Sequence, residues 1–223
     1  TNTDAVLVSN ENEILAKTKQ TTSLDISSGI EKAIKKVISE GNIPIGEIKY
    51  IMLGTTHCTN ALVERKELHK TGAIRIGLPA SSAIPIMTDF PEDLKVILGK
   101  HNYLVHGGYE FDGRLISPLN KDEVKNFLLK MKGEVESLSI TGVFSKTLTD
   151  QELQVSEWAK EVLGGDIKIS CSHQVGGLGL LERENASILN SALKGVATKM
   201  VSAFKETIDK LGINAQLFIG QND

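Results

Sequence analysis

Strand-like and helix-like segments alternate along the whole chain, and this alternation constrains the fold more than any other feature of the sequence. Tyr50 to Leu53, Leu138 to Phe144 and Ile167 to Cys171 are short apolar runs of strand length. Between the last two, apolar residues recur every three or four positions, which is the period of a helix. Strands that alternate with helices predict a mostly parallel sheet covered on both faces, so we expect an α/β protein.

Smaller signals add detail to this expectation. Ala5 to Val8 and Glu13 to Thr18 flank a turn-forming segment and predict a hairpin. Asn60 to Leu68 predicts a helix, and Arg114 to Ile116 predicts a short strand. A final helix of about 30 residues begins near Leu180.

Two helix starts carry the capping-box pattern, in which a polar residue is followed three positions later by Glu. They are Asn120 with Glu123 and Thr149 with Glu152. In such a box the first side chain accepts a backbone N–H, and the Glu returns to the N–H of the cap residue. Both pairs therefore predict the first turn of a helix.

Composition excludes several classes of protein. The net charge is −3, with 25 basic and 28 acidic residues and no basic cluster, so nucleic acid is not an expected partner. No apolar run is long enough to span a bilayer, and no signal peptide opens the sequence. Cys58 and Cys171 have no metal or redox spacing. A cytoplasmic protein without a membrane association is the simplest expectation.

Both ends of the sequence are abrupt, because each lies next to a strand-like run instead of a polar tail. We therefore expect a fragment of a larger protein. Its predicted divisions are residues 1–75, a hairpin–helix–strand segment; 76–178, an inserted α/β subdomain; and 179–223, the long helix with its returning strand.

Polar or small residues follow several predicted strands, where open α/β sheets bind ligands. They are Gly54-Thr55-Thr56-His57, Ser145, Ser172-His173 and Gln221-Asn222-Asp223. Gly54 permits close backbone approach of an anion to the following helix start. The alternative, equally supported, is that Thr56 or Thr59 only caps that helix. His57 is a candidate acid/base, although lone histidines are more often structural.

Thr1-Asn2-Thr3-Asp4 offers hydroxyl and backbone N–H groups to a phosphate before the first strand, and Asp4 is a candidate Mg²⁺ ligand. A plain capped turn is the simpler interpretation of these four residues.

Glu182-Arg183-Glu184-Asn185 makes the first turn of the long helix polar. These residues either complement the helix dipole or face a cleft. His173, His106 and Arg114 carry the same ambiguity, whereas His69 and His101 are predicted to be surface residues.

Several strings together resemble the hydantoinase A/5-oxoprolinase family, in family order and over the whole chain. Those strings are Thr1-Asn2-Thr3-Asp4-Ala5-Val6, Gly54 to Arg65, Gly107-Gly108-Tyr109-Glu110 with Asp112-Gly113-Arg114, Gly142-Val143-Phe144-Ser145, Ser172-His173, Gly179 to Ala186 with Leu189-Asn190, and Gln221-Asn222-Asp223. Cys58 stands where the family usually has Ala.

The resemblance implies the first lobe of an actin/Hsp70/sugar-kinase-like (ribonuclease H-like) fold, a mixed sheet with helices on both faces, within a larger two-lobed protein. It implies ATP and Mg²⁺ as cofactors and a small cyclic amide as substrate, opened after its carbonyl is activated. It also implies a hydantoinase B-type partner subunit, a homo-oligomer, or both.

Carried over residue by residue, the resemblance assigns three groups of site residues. The catalytic candidates are His57, Glu182, Arg183 and Asn185; the cofactor-binding candidates are Thr1, Asn2, Thr3, Asp4, Thr55, Thr56, Asn60, Asn222 and Asp223; the metal candidates are Asp4 and Asp223. The family's second phosphate loop is expected beyond Asp223, so this stretch alone is expected to bind ATP weakly. Two alternatives stay open: a subunit of an acetone- or acetophenone-carboxylase type of enzyme, and a nucleotide-binding regulatory domain.

Overall fold

The computed structural model describes residues 2–21 and 26–220, which form eight strands and six helices. The strands are β1 (Asn2–Val8), β2 (Ile14–Thr21), β3 (Tyr50–Leu53), β4 (Thr71–Leu78), β5 (Asn102–His106), β6 (Ser137–Gly142), β7 (Lys168–Cys171) and β8 (Gln216–Ile219). The helices are α1 (Ile26–Gly41), α2 (His57–Glu64), α3 (Glu92–Leu98), α4 (Lys121–Met131), α5 (Asp150–Leu163) and α6 (Leu180–Lys210).

The chain folds as two compact units. One comprises residues 1–58 and 197–223, and the other comprises residues 59–196. The three-segment division drawn from the sequence follows motifs and stays a prediction.

The unit of residues 59–196 contains a four-stranded sheet in the order β5-β4-β6-β7, with every neighbouring pair parallel. This arrangement confirms the predicted parallel sheet. Ile74 and Ile76 of β4 and Leu138 and Ile140 of β6 point to one face and form a core with Leu128 of α4 and Val155 of α5. Side chains along a strand alternate between faces, so every second residue of β4 and β6 enters this core.

The opposite face of the same sheet is more polar, and the first half of α6 covers it. Ser139 Oγ donates to Ser187 Oγ at 3.0 Å, and Ser191 Oγ donates to the Leu138 carbonyl at 2.9 Å. Ile188 of α6 is fully buried beside these serines, in a cluster that also includes α3. The helix is thus held to the sheet by hydrogen bonds as well as by apolar contact.

The unit of residues 1–58 and 197–223 contains two smaller sheets. β1 and β2 form the predicted antiparallel hairpin, and β3 pairs in parallel with β8. Its core consists of buried Ile30 of α1 and three residues from the end of α6 onward, Phe204, Ile208 and Ile213. The α/β class with parallel and antiparallel pairing is therefore confirmed.

Three details differ from the sequence predictions. α2 begins at His57 and ends at Glu64, earlier than the predicted 60–68. Residues 114–116 form no strand; Leu115 makes only an isolated bridge to Tyr109. The seven-residue helix α3 was not predicted, because it is too short to show a clear period.

Although α6 has 31 residues, no helix in the described part of the chain combines the length and apolarity that a bilayer span requires.

Candidate functional site

The carboxyl ends of β4, β6 and β7 meet at one edge of the four-stranded sheet. β5 lies on one side of β4, and β6 and β7 lie on the other, so the strand order reverses at β4. Ligands of open α/β sheets bind outside the carboxyl ends at such a reversal. Two predicted polar strand ends, Ser145 and Ser172-His173, follow β6 and β7 here.

A fully buried carboxylate from α5 joins these strand ends. Oε1 of Glu152 accepts hydrogen bonds from Gly142 N at 2.7 Å and from Ser172 Oγ at 2.5 Å. Its Oε2 accepts from His173 N at 3.1 Å and from His173 Nδ1 at 2.6 Å. Four donors thus satisfy the carboxylate, which explains how a charged group is accommodated at 0% exposure.

This geometry corrects the predicted capping box at the start of α5. Thr149 makes no side-chain hydrogen bond to the helix, and Glu152 turns away from the cap to the end of β7. The attraction of four backbone and side-chain donors at the strand ends outweighs the single backbone N–H that the box offers.

Arg183 is the cationic member of the same network. Its Nε donates to Ser172 Oγ at 2.9 Å, and its Nη2 donates to the Gly142 carbonyl at 2.5 Å. Its Nη1 donates to the carbonyl of Leu178 at 2.7 Å. Burial lowers the pKa of Arg183, while the nearby carboxylates of Glu152 and Glu184 oppose that shift. Arg183 therefore fastens the loop before α6 to the ends of β6 and β7.

Glu184, the third residue of the polar helix turn, forms a buried ion pair with Arg75 that sequence reasoning missed. Arg75 Nε donates to Glu184 Oε2 at 2.5 Å, and Arg75 Nη2 donates to Glu184 Oε1 at 2.7 Å. Arg75 Nη1 also donates to the Ile84 carbonyl at 2.6 Å. An arginine inside the apolar strand segment 73–78 was the signal that could have indicated a buried partner.

The other residues of the same turn are more accessible. Glu182 is exposed, and Asn185 is half-buried with its Nδ2 donating to the Thr88 carbonyl at 2.8 Å. Among the four residues, Glu182 is therefore the one whose side chain is open to solvent. The catalytic roles assigned to Glu182, Arg183 and Asn185 stay predictions.

The cysteine beside this network is a poor metal ligand. Glu152, Cys171 and His173 bring ligand atoms within 4.8 Å of one another, as no other such group does in the described part of the chain. However, burial and the charge of Glu152 raise the pKa of the Cys171 thiol to about 11, and the carboxylate is already saturated. These contacts fit a structural hydrogen-bond network better than a metal centre.

The amino-terminal phosphate-loop candidates lie inside a strand. Asn2, Thr3 and Asp4 belong to β1, and Thr3 and Asp4 pair with Gln20 and Lys19 of β2. The expectation that they precede the first strand is therefore wrong, because the hairpin ladder extends to their backbone. Asn2 and Asp4 are exposed on one face, and the Asp4 carboxylate lies 3.9 Å from the Lys19 ammonium.

This exposed face fits a hydrated cation only in part. It offers the oxygens of Asn2 and Asp4, which suit Mg²⁺ with its retained waters, but Lys19 competes for the carboxylate. Thr1, Asn222 and Asp223 lie outside the described residues.

The Gly54–His57 segment forms the start of α2. Thr55 Oγ1 accepts from His57 N at 3.1 Å, so Thr55 occupies the capping role for which Thr56 and Thr59 were considered. His57 is half-buried and Thr56 is exposed. Asn60 lies in the same helix and is half-buried.

The parallel pairing of β3 with β8 brings the carboxyl ends of these two strands to one edge. Leu53 pairs with Ile219, and Gly220 N donates to the Leu53 carbonyl at 2.8 Å. Thr55 and Thr56 therefore follow one strand at the edge where β8 also ends. The cofactor-binding roles of these residues stay predictions.

Comparisons with known proteins give the fold and the family. Among solved structures, the ATP-dependent caprolactamase from Pseudomonas jessenii superposes on this chain with a TM-score of 0.73 at 18% sequence identity. The superposition covers 98% of this chain and 33% of the caprolactamase chain. An acetone carboxylase solved without nucleotide superposes with a TM-score of 0.70 at 18% identity, covering 93% and 33%. These similarities confirm the predicted actin-like first-lobe fold.

A 5-oxoprolinase of Dictyostelium discoideum is 30% identical over an aligned length of 178, and the alignment covers 66% of this chain and 14% of that protein. The chain thus spans about one seventh of that relative and one third of the two solved proteins. The sequence profile of the hydantoinase/oxoprolinase N-terminal region matches residues 1–163. On this match over most of its length, the chain belongs to the hydantoinase/oxoprolinase family.

Proposed function

We propose that the chain is part of an ATP-dependent hydrolase that opens the ring of a small cyclic amide. The match of residues 1–163 to the family's N-terminal region carries this proposal. Two similar proteins, a 5-oxoprolinase and a caprolactamase, are named for cyclic amides, and the second is also described as ATP-dependent. A hydantoin, an N-methylhydantoin and 5-oxoproline are the candidate substrates.

Bound ATP with Mg²⁺ would supply a phosphoryl group that activates the amide carbonyl. Water could then attack the carbonyl carbon, which is otherwise unreactive. In this chain, Asn2, Thr3 and Asp4 would hold the phosphates and the hydrated cation. Thr1, Asn222 and Asp223 complete the proposed set, with Asp223 as the second metal candidate.

The start of α2 gives the proposal a second group of donors. Thr55 fixes the first turn through His57 N, and the remaining amides of a helix N-terminus attract anions. Thr56, His57 and Asn60 bring side-chain donors to the same segment. His57 would orient the substrate carbonyl or transfer a proton to its leaving nitrogen.

The buried network contributes position rather than direct contact. Glu152 and Arg183 lock the ends of β6 and β7 to the loop that precedes α6. They thereby fix the first turn of α6, from which exposed Glu182 extends. We therefore assign the direct role to Glu182 and a positioning role to Arg183.

A carboxylase-type subunit is the second candidate, favoured by the fold similarity to acetone carboxylase over 93% of the chain. In that case the same ATP chemistry would activate a ketone toward bicarbonate. A hydantoinase B-type partner subunit is proposed for either reaction.

The test measures phosphate release from ATP by the full-length protein with its partner subunit. The panel contains hydantoin, N-methylhydantoin, 5-oxoproline, and acetone or acetophenone with bicarbonate. Stimulation by one cyclic amide supports the proposal. Stimulation only by ketone with bicarbonate moves the protein to the carboxylases, and slow hydrolysis that no substrate stimulates indicates a nucleotide-binding regulator.

Variants then separate direct from positioning roles. His57→Ala and Glu182→Gln should each lower turnover by roughly tenfold or more while the melting temperature is unchanged. Glu206→Gln is the matched control, because Glu206 is also an exposed glutamate on α6. Wild-type turnover in Glu182→Gln would contradict the direct role, and an unchanged melting temperature in Arg183→Ala would contradict the positioning role.

A further inference from the structure

Two histidines at the carboxyl edge of the four-stranded sheet pair with glutamates, but the two pairs differ in burial. His106 ends β5, and its Nδ1 lies 3.1 Å from the Glu123 carboxylate, with the two side chains 50% and 21% exposed. His173 follows β7, and its Nδ1 lies 2.6 Å from the Glu152 carboxylate, with exposures of 13% and 0%. Water competes with the first pair and is almost excluded from the second. The buried pair therefore holds its imidazole ring more firmly in one orientation.

Glu152 also determines which nitrogen of the neutral His173 ring carries the proton. A carboxylate accepts hydrogen bonds and donates none, so Nδ1 is the donor and the lone pair lies on Nε2. This Nε2 has no hydrogen-bond partner among the described residues and is not closed off from solvent. His101 differs, because its Nε2 is buried without a partner and the residue is only 9% exposed, which corrects its predicted surface position. Nε2 of His173 is therefore an oriented base that water can reach.

The turn that follows β6 supports a functional role for this edge of the sheet. Phe144 has a φ of 51°, a left-handed conformation that bulky residues rarely adopt. The Lys146 ammonium in the same turn donates to the His173 carbonyl at 2.7 Å, so the strained turn is attached to the backbone of the histidine. Strain of this kind clusters at active sites, where the surrounding structure holds a functional group in position. Stability alone does not account for it, because strain lowers stability.

We propose that His173, held by Glu152, transfers protons in the cyclic-amide hydrolysis proposed above, on which this role rests. Nε2 accepts a proton from a water molecule as the water oxygen bonds to the amide carbonyl carbon and the carbonyl π electrons move to oxygen. As the carbonyl forms again, the carbon–nitrogen bond breaks and its electron pair stays on the ring nitrogen, to which Nε2 returns the proton. The Glu152 carboxylate stabilises the imidazolium between the two transfers, as the acid does in hydrolytic triads. His57 is then left to orient the carbonyl.

His173→Asn in the full-length protein with its partner subunit separates this role from a structural one. The Asn amide can replace Nδ1 as the donor to Glu152, so a purely structural histidine predicts wild-type turnover. We expect an unchanged melting temperature and a turnover of the cyclic amide lowered by roughly 100-fold, because the amide cannot accept the proton. His106→Asn is the matched control at the exposed pair and should keep wild-type turnover.

Added imidazole tests the base itself. It should restore part of the turnover of His173→Ala and leave the wild type and His106→Asn unchanged. Absence of any restoration overturns the inference, also where His173→Asn fails to fold.

NMR of the ring nitrogens in the histidine-labelled protein gives a measurement that is independent of turnover. His173→Asn or His173→Ala assigns the signals, and the neutral ring should carry its proton on Nδ1. A neutral ring with its proton on Nε2, or wild-type turnover in a folded His173→Asn protein, overturns the role of His173 alone. A wild type whose ATP hydrolysis no cyclic amide stimulates overturns the proposed function and this role with it.

Discussion

The two units of the chain bury charge to very different extents. In residues 59–196, Arg75, Glu184, Glu152 and Arg183 are all at least 98% buried, and their charged groups are hydrogen-bonded. In residues 1–58 and 197–223, by contrast, the ion pair of Lys19 with Asp4 joins side chains that are 66% and 61% exposed.

The sheets differ in the same direction. Both faces of the four-stranded sheet are covered by helices. The smaller unit leaves large side chains such as Val6 (54%) and Met52 (79%) exposed on its two-stranded sheets. A substitution should therefore be costly where it disturbs the buried network and mild where it changes a surface pair. This contrast can be measured in three ways.

The largest effect is expected from breaking the Arg75–Glu184 pair. Arg75→Met leaves the Glu184 carboxylate buried without its cation and should lower the free energy of unfolding by about 3–5 kcal/mol. The measurement is urea denaturation of the full-length protein. Should the single variant fail to fold, Arg75→Met with Glu184→Leu should recover most of the stability, because no charge stays buried.

Lys19→Gln is the control from the other unit, and its cost should stay below about 1 kcal/mol. Equal costs for Arg75→Met and Lys19→Gln would remove the contrast between the units.

A smaller effect is expected at Gly195, where α6 passes close to His69. A Cβ at this position would overlap the His69 imidazole ring. Overpacking in Gly195→Ala should lower the free energy of unfolding by about 1–3 kcal/mol. The higher helix propensity of Ala should offset up to about 1 kcal/mol of this loss. Thermal unfolding measures it.

Gly46→Ala in the other unit is the control, since no atom lies within 4 Å of its added Cβ. Adding His69→Ala to Gly195→Ala should restore stability. A Gly195→Ala protein as stable as Gly46→Ala would show that the helix can move away from His69.

The smallest effect concerns the acid response of the smaller unit. Hydrogen bonds first from Lys210 and then from Lys35 lower the pKa of Glu31 from 4.5 to about 2. A lowered carboxyl pKa stabilises the folded state above the unfolded value, and this contribution is lost as pH falls from 4.5 toward 2. The stability difference between wild type and Glu31→Gln should therefore shrink over that range.

Glu40→Gln on the same helix is the control, because Glu40 lies 3.9 Å from the ammonium of Lys36, too far for a hydrogen bond. A difference for Glu31→Gln that is independent of pH over the same range would contradict the assigned role of the two lysines.

The two predicted capping boxes show how far local sequence reasoning extends. Asn120 Oδ1 accepts from Asp122 N at 3.0 Å and from Glu123 N at 3.1 Å, as predicted. The Glu123 carboxylate nevertheless binds His106 instead of the cap. At α5 neither half of the box forms, because Glu152 enters the buried network. The helix starts were correct, but distant partners redirected both acidic side chains.

The candidate site shows the same division. The sequence correctly indicated that Ser145 and Ser172-His173 follow strands, and the sheet brings them to one edge. It gave no reason to join them to Glu152, which lies 21 residues before His173 along the chain. Arg183 was noticed for its polar neighbours, yet its burial depends on a loop and two strands. Long-range contacts of this kind leave no local periodic signal.

The sequence by itself determined the alternation of strands and helices, the opening hairpin, the long final helix and the family. These features depend on side-chain periodicity, turn residues and short motifs, all of which act between near neighbours. Only the tertiary structure decided the partners of Arg75, Glu152 and Arg183 and the burial of His101. A buried charge is stable only beside a specific partner, and chain folding alone determines which distant residue becomes that partner.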